Sequence, residues 1–314
     1  MPAPFLTGPA LAVAAASLSG VRTSLPSPVR GACLVVIGVG MGAGVTPEAL
    51  ATAAAWPGSL AALVASLLAI TLGGAALLRR GFGHPRDGAL LASLPGHLSY
   101  VLAMGEERLR GPDLAVMAVI QSLRVLALTL LVPFAVALTG EDLAAVPDLG
   151  ADMTLPVLAA LLVVCAAGGW ASGRAGVPAA YLLAPMAVSG VLHAGGWVRG
   201  DVPPWLAIPA FVVMGTLIGS RFSGVTPALL ARAAGAGAAL AALSGTLAAA
   251  AAIPVAVLLD LPAPQVLIAF APGGIETMAA LAVLTGADTA YVAAHHAMRM
   301  LVLTVLLPVL LRRA

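Results

Sequence analysis

Residues 113–133 read DLAVMAVIQSLRVLALTLLVP, and residues 288–308 read DTAYVAAHHAMRMLVLTVLLP. The two stretches are identical at 9 of 21 positions, and the matches include the acidic first residue, one arginine, one threonine and the final proline. Each is almost wholly apolar and long enough to cross the roughly 30 Å hydrocarbon core of a bilayer as a helix. Together they predict a helical membrane protein whose chain repeats itself.

The composition of the whole chain favours the same class of protein. Of the 314 residues, 61% are hydrophobic and 9% are charged, whereas soluble domains average about 25% charged residues. So few polar groups cannot cover a water-facing surface, which excludes a soluble enzyme. The 15 basic residues are arginines scattered singly or in pairs, so we expect no nucleic-acid partner. Cys33 and Cys165 lie in apolar runs and are predicted to be packing residues, and we expect no metal and no cofactor.

Hydropathy and helix-breaking residues divide the chain into eleven helical segments, of which nine are predicted to span the bilayer. The segments cover residues 4–20, 29–44, 57–79, 88–104, 113–139, 154–171, 177–195, 204–221, 233–259, 264–284 and 288–311. Two of them contain a break near the centre, Pro95-Gly96 in one and Pro272-Gly273-Gly274 in the other. Proline removes a backbone donor and glycine adds freedom, so these two segments are predicted to be broken or re-entrant. The fold class is therefore an all-α integral membrane protein.

Further motifs recur at a similar separation. Gly44-Val45-Thr46-Pro47 returns as Gly224-Val225-Thr226-Pro227, and Pro95-Gly96 returns as Pro272-Gly273. We therefore predict an internal duplication within one transmembrane domain, with repeat 1 in residues 1–140 and repeat 2 in residues 154–314. Segment 154–171 has no counterpart in the first copy, so repeat 1 lacks its first helix. Either the fold has lost that helix or the sequence begins downstream of it.

The distribution of arginine predicts the topology. If both broken segments enter and return on one side, 12 of the 13 arginines near segment ends share a side, and only Arg199 opposes them. If all eleven segments cross, the best split is 8 to 5. Cytoplasmic loops collect arginine, so the re-entrant arrangement is favoured. It predicts a cytoplasmic C-terminus, and it inverts the second copy relative to the first.

Polar residues in the middle of apolar segments are the candidates for binding a solute or an ion. Arg124 and Arg299 each lie about 16 Å along a helix from its acidic start, near mid-membrane, where a charge costs about 2.5–3.5 kcal/mol. The remaining candidates flank these arginines or the two breaks: Gln121, His295, His296, His97, Ser99, Glu276 and Thr277. We expect the arginines to bind an anionic group or to balance Glu276, with Glu276 or a histidine carrying a coupling proton. The alternative is a static Arg299–Glu276 ion pair.

Three motifs of the second copy, in residues 271–276, 286–288 and 295–299, resemble those of the bacterial AbrB family of membrane proteins. Members of that family also carry the labels AbrB-type regulator and "putative ammonia monooxygenase". The first copy matches through residues 94–99 and 121–124, although His97 stands at the position of Gly274 and Ser99 at that of Glu276. The resemblance implies a duplicated multi-pass inner-membrane protein with a link to regulation of gene expression.

The duplication, the two breaks and the arginine pair favour a secondary transporter that moves a small anionic solute, coupled to protons, with no enzymatic activity. The alternative is a membrane-embedded regulator that influences gene expression through a partner. A redox enzyme is disfavoured, because five scattered histidines and no cysteine cluster make no evident ligand set for a metal. Glycine- and alanine-rich helix faces are compatible with a homodimer in the bilayer.

Overall fold

The computed structural model describes residues 2–45, 56–95, 98–109, 111–140, 152–177 and 179–312. These residues form 13 α-helices, and their strand-like contact is an isolated bridge between Asp152 and Asp201. The described chain is thus helical throughout, as the sequence predicts.

The helices follow the predicted segments closely. In chain order they are α1 (Pro4–Leu18), α2 (Ser27–Ala43), α3 (Trp56–Phe82), α4 (Arg86–Ser93), α5 (Leu98–Arg108), α6 (Gly111–Ala137), α7 (Leu155–Arg174), α8 (Ala180–Ala194), α9 (Pro204–Ser220), α10 (Pro227–Leu258), α11 (Ala263–Phe270), α12 (Ile275–Thr285) and α13 (Thr289–Arg312). Among the described residues, α3, α6, α7 and α10 are long and apolar enough to span a membrane, and α1, α2, α8, α9 and α12 are shorter apolar helices. The protein is a helical membrane protein, and the count of nine crossings stays a prediction.

Both segments with a central Pro-Gly motif are broken. Residues 94–97 separate α4 from α5, and residues 271–274 separate α11 from α12. An eight-residue helix such as α4 or α11 is about 12 Å long and cannot cross a bilayer alone. In the first broken element, Arg108 at the end of α5 lies 3.6 Å from Asp87 at the start of α4. The two ends of this element therefore lie side by side, which is the geometry of a re-entrant hairpin.

Pairs of glycines four residues apart bring two pairs of helices into backbone contact. On α2, a Cβ at Gly42 would lie 2.6 Å from the backbone nitrogen of Gly190, on α8. On α9, a Cβ at Gly219 would lie 2.7 Å from the carbonyl oxygen of Ala10, on α1. Gly38 on α2 and Gly215 on α9 complete the two pairs and are equally crowded. Close small-residue packing of this kind is how helices associate in lipid.

Helix α2 also packs against α9, and the two run antiparallel. Cys33 Sγ donates to the carbonyl oxygen of Ala210 at 3.0 Å. Further along α2, a Cβ at Gly40 would lie 3.8 Å from Val202, just before α9 begins. Residue numbers therefore rise on one helix as they fall along the other.

Helices α3 and α10 pack antiparallel as well. A Cβ at Gly74 would lie 2.7 Å from the side chain of Leu240, and one at Gly235 would lie 3.3 Å from Phe82. The C-terminal end of α3 therefore lies beside the N-terminal part of α10.

Helix α10 begins as its sequence predicts. The Thr226 side chain accepts a hydrogen bond from the backbone N–H of Leu229 at 3.2 Å, and Pro227 occupies the first turn. A capping threonine satisfies one of the free donors at a helix start, and proline there loses no bond. The matching motif of the first copy, Thr46-Pro47, lies outside the described residues.

Candidate functional site

The first break is held by two side chains of α6. The guanidinium of Arg124 donates to the carbonyl oxygens of residues 92–94, at 3.2, 3.1 and 2.9 Å. Gln121, one turn earlier, donates to the carbonyl oxygen of Leu91 at 2.7 Å. The last carbonyls of a helix have no partner within the helix and carry a partial negative charge. Arg124 and Gln121 therefore cap the C-terminal end of α4.

The second break is held in the same way from α13. Arg299 donates to the carbonyl oxygens of Ala271 and Gly273, both at 2.9 Å. Arg299 is 3% exposed and Arg124 is 1% exposed, and the charge of Arg124 acts on Arg299. Each predicted arginine thus lies at its own break, and the two guanidiniums are near enough for their charges to interact.

The two arginines leave an excess of positive charge between the breaks. Neither forms a salt bridge with a carboxylate of the described residues, and the Nε atom of each has no hydrogen-bond partner there. A helix C-terminus opposes a cation with only about half an elementary charge. These two helix ends therefore neutralise the two buried guanidiniums only in part, and the N-termini of α5 and α12 at the same breaks add further positive charge. Such a region favours an anion.

Glu276 lies in the first turn of α12 and is paired elsewhere than the sequence predicted. Its Oε1 is 3.4 Å from Nη2 of Arg30, on α2, and its charge also acts on Arg221, just after α9. The carboxylate is 5% exposed, whereas the Arg30 side chain is 43% exposed. The expected balance of Glu276 by the mid-membrane arginines, or by a static pair with Arg299, is therefore wrong, because those guanidiniums bind backbone carbonyls.

His295 belongs to a hydrogen-bonded network between α3 and α13. Its Nδ1 is 2.8 Å from the carbonyl oxygen of Tyr291, and its Nε2 is 2.8 Å from Ser59 Oγ. A carbonyl oxygen only accepts, so Nδ1 carries the proton and Nε2 accepts from the serine. Ser59 Oγ also contacts the hydroxyl of Tyr291. The ring of His295 is fully used in holding the two helices together.

His296 differs from its neighbour. It is completely buried, and neither of its ring nitrogens has a hydrogen-bond partner among the described residues. The carbonyl of Ile268, on α11, acts on the ring without reaching hydrogen-bonding geometry. A buried polar group without a partner costs about 1–3 kcal/mol. His296, one turn before Arg299, is therefore the predicted site residue with the greatest unused bonding capacity.

At the second break, side chains of α12 lie very close to the backbone of Gly273 and Gly274. A Cβ at Gly273 would lie 2.7 Å from Met278 Cε, and one at Gly274 would lie 3.3 Å from Thr277 Oγ1. The backbone N–H groups of Thr277 and Met278 both donate to the carbonyl of Gly274, which starts α12. The two glycines after Pro272 therefore let side chains of α12 fold back over the break.

The first break is described only in part. Pro95 is buried, whereas Gly96 and His97 lie outside the described residues. Ser99 lies in α5, and its side chain is likewise outside the described part of the structure. The predicted roles of His97 and Ser99 stay predictions.

A cavity of about 320 Å³ lies against the second break, between α6, α10 and α11. It reaches Ala271 and Pro272, and Leu131 on its wall is 54% exposed. Its lining is largely apolar.

Sequence reasoning missed four residues of this site: Arg30, Arg221, Ser59 and Tyr291. The two arginines lie near helix ends, where arginine normally faces the membrane interface. The serine and tyrosine are ordinary helix residues in an apolar run. Only a prediction of contacts between distant residues could have found them.

The family model described as "Transition state regulatory protein AbrB" matches residues 5–314. The chain belongs to the AbrB family. The resemblance of the motifs around Glu276 and Arg299 is thereby confirmed.

Two relatives within this family are similar over most of the chain. The Escherichia coli (strain K12) protein named "Putative regulator AbrB" is 28% identical over 234 residues, which are 71% of this chain and 64% of the relative. The Bacillus subtilis (strain 168) protein named "Uncharacterized protein YhjN" is 30% identical over 244 residues, 70% of this chain and 61% of the relative. The chain thus spans less than two thirds of each relative. No solved structure matches this AbrB-family chain.

Proposed function

We propose that this protein is a secondary transporter of the bacterial inner membrane, built from two inverted copies, which moves a small anionic solute in a proton-coupled cycle. The observation that carries the proposal is the pair of broken helices whose ends are held by buried, unneutralised arginines. Transporters with inverted repeats bind their solutes where broken helices meet near mid-membrane.

The duplication is supported by contacts that repeat with the same separation in sequence. Adding 177 to Gly38 and Gly42 of α2 gives Gly215 and Gly219 of α9, the two glycine pairs that crowd against neighbouring helices. Cys33 and Ala210, which are hydrogen-bonded to each other, are also 177 residues apart. Residues equivalent under a duplication touch each other when they lie on its symmetry axis.

Opposite orientation of the copies is supported by how equivalent helices meet. In the duplication, α2 corresponds to α9 and α3 to α10, and each of these pairs packs antiparallel. A twofold axis in the membrane plane produces this relation, and an axis along the membrane normal does not. The cytoplasmic position of the C-terminus remains part of the proposal and rests on the arginine count.

The class of solute follows from the charges at the breaks. Arg124 and Arg299 retain part of their positive charge after capping α4 and α11, and the ring nitrogens of His296, one turn before Arg299, have no hydrogen-bond partner among the described residues. A small carboxylate or oxyanion could accept hydrogen bonds from such groups and neutralise them. This arrangement binds and releases a charged group, and we propose no catalytic activity for it.

Proton coupling is assigned to Glu276. While ionised, it is paired with Arg30, whose side chain reaches solvent. Protonation of Glu276 would remove that attraction and leave the cation free to meet an incoming anion. The Glu276–Arg30 pair thus has two states, formed and separated, and protonation of Glu276 shifts the equilibrium toward the separated state. Proton coupling requires such a shift between two states.

The test is flux in proteoliposomes that contain the purified full chain. A panel of labelled small carboxylates, phosphate and sulfate is offered with and without an inward proton gradient. We expect uptake of at least one anion that the gradient stimulates, and we expect Glu276→Gln to reduce the stimulation about tenfold. The matched control is Glu106→Gln, which removes an exposed carboxylate from α5. Absence of uptake across the panel, or equal stimulation in both variants, would refute the proposal.

A membrane regulator is the second candidate, because one relative is named as a regulator. It would act through a partner that binds the helix ends and short loops at residues 79–87 and 106–110. In that case a partner would be captured by the full chain, capture would be lost on replacing those loops, and no solute flux would be measured.

A further inference from the structure

The structure contains a second polar site at the end of α3. A cavity of about 600 Å³ lies there between α3, α4 and α13. Its rim carries Arg79, Arg80, His84 and Arg86, and its lower wall is apolar, formed by residues such as Leu72 and Leu90. We propose that this cavity binds an anionic phospholipid, with its phosphate against the arginines and an acyl chain along the apolar wall.

The order of residues along α3 supports a lipid. Leu72, Ala75 and Ala76 lie one to two turns before Arg79 and Arg80 and line the same cavity. At 1.5 Å per residue, the apolar wall extends about 10 Å along α3 from the arginines toward the N-terminus of that helix. Leu72 is 52% exposed, so the wall opens sideways toward the bilayer. A phosphate at the arginines would therefore have its glycerol and acyl groups beside a matching apolar groove.

The charges of Arg79 and Arg80 are available for a phosphate. Arg79 and Arg80 are both exposed, and neither has a hydrogen bond or an ion pair with any described residue. Basic pockets between membrane helices are typical sites for the headgroups of anionic lipids. A soluble phosphate compound offers the same headgroup chemistry without acyl chains, so the two sources differ in whether the apolar wall contributes.

His84 is the weaker member of the rim. Burial lowers its pKa, the charge of Arg232 lowers it further, and Asp113 opposes both. At neutral pH the histidine is therefore a hydrogen-bonding group, and the positive charge of the site comes from the arginines.

The experiment compares lipid binding by the full-length protein and two charge-matched double variants, using native mass spectrometry or quenching of a labelled lipid. Arg79→Gln with Arg80→Gln removes two charges from the cavity, and Arg22→Gln with Arg174→Gln removes two exposed arginines elsewhere. We expect phosphatidylglycerol or cardiolipin to bind the cavity variant about 10- to 30-fold more weakly than wild type. We expect less than a threefold change in the control variant.

Three results would overturn the proposal. One is equal weakening in both variants, which indicates general attraction to the surface. Another is binding of phosphatidylcholine as tight as that of the anionic lipids. The third is displacement of the lipid by millimolar inorganic phosphate or glycerol phosphate, which would identify a soluble phosphate as the ligand. Because both pairs of arginines are exposed, size-exclusion profiles should match that of wild type.

Discussion

Arg124→Lys keeps the buried positive charge of α6 and removes the planar fork that spans the end of α4. In the wild-type protein, Nη1 donates to the carbonyls of residues 92 and 93 at 3.2 and 3.1 Å, and Nη2 donates to Leu94 at 2.9 Å. An ammonium group is a single point donor and cannot reach as far as the fork, so at least the bond to Leu94 is lost. A hydrogen bond to a charged group contributes about 1.5–3 kcal/mol. The free energy of unfolding should fall by about that amount.

Thermal unfolding can be followed with a thiol-reactive fluorophore, because Cys33 and Cys165 are both free and buried and become reactive on unfolding. One kcal/mol shifts the midpoint of a chain of this size by about 2 °C, so we expect Arg124→Lys to unfold about 3–6 °C lower. The control is Arg174→Lys, which keeps a cation over the Trp170 ring and should shift the midpoint by less than about 1 °C.

A wild-type midpoint for Arg124→Lys would refute the conclusion that the guanidinium fork holds the first break. If anion uptake is also lost while the unfolding midpoint stays at the wild-type value, the guanidinium acts on the solute and not on the helix end. Loss of both would indicate that the same group serves both purposes.

Three further predictions follow from single contacts. Gly42→Ala should lower the free energy of unfolding by about 1–3 kcal/mol, because its Cβ would meet backbone atoms of α8; Gly8→Ala has open space and should raise that free energy by up to about 1 kcal/mol in the same thermal assay. Ser59→Ala should lower it by about 1–3 kcal/mol by leaving buried partners unsatisfied, whereas Ser66→Ala, which removes a buried hydroxyl without a partner, should be neutral or stabilising. Uptake by Glu276→Gln should lose most of its dependence on external pH, because the proposed proton-accepting carboxylate is removed, and a wild-type pH profile would exclude Glu276 as the coupling group.

The local arrangement of the site could be predicted from the sequence wherever a residue acts on its own helix or on the break nearest to it. The Pro-Gly motifs predicted both breaks, because proline removes a backbone donor and the adjacent glycine adds backbone freedom at the same point. Arg124 and Arg299 were recognised as special because a charge in the middle of an apolar run always requires a partner. The identity of that partner was not predictable, because every residue has a backbone carbonyl oxygen and the sequence does not indicate which one an arginine binds.

By itself, the sequence determined the helical membrane class, the helix segments, the two breaks and the family, because hydropathy and helix breakers act over a few neighbouring residues. Only the tertiary structure decided that Glu276 meets Arg30, 246 residues away, and that Ser59 meets His295, 236 residues away. Those pairs depend on which helix faces pack together. In a chain made mostly of alanine, leucine, valine and glycine, many packing arrangements bury similar apolar surface, so the local pattern cannot select among them.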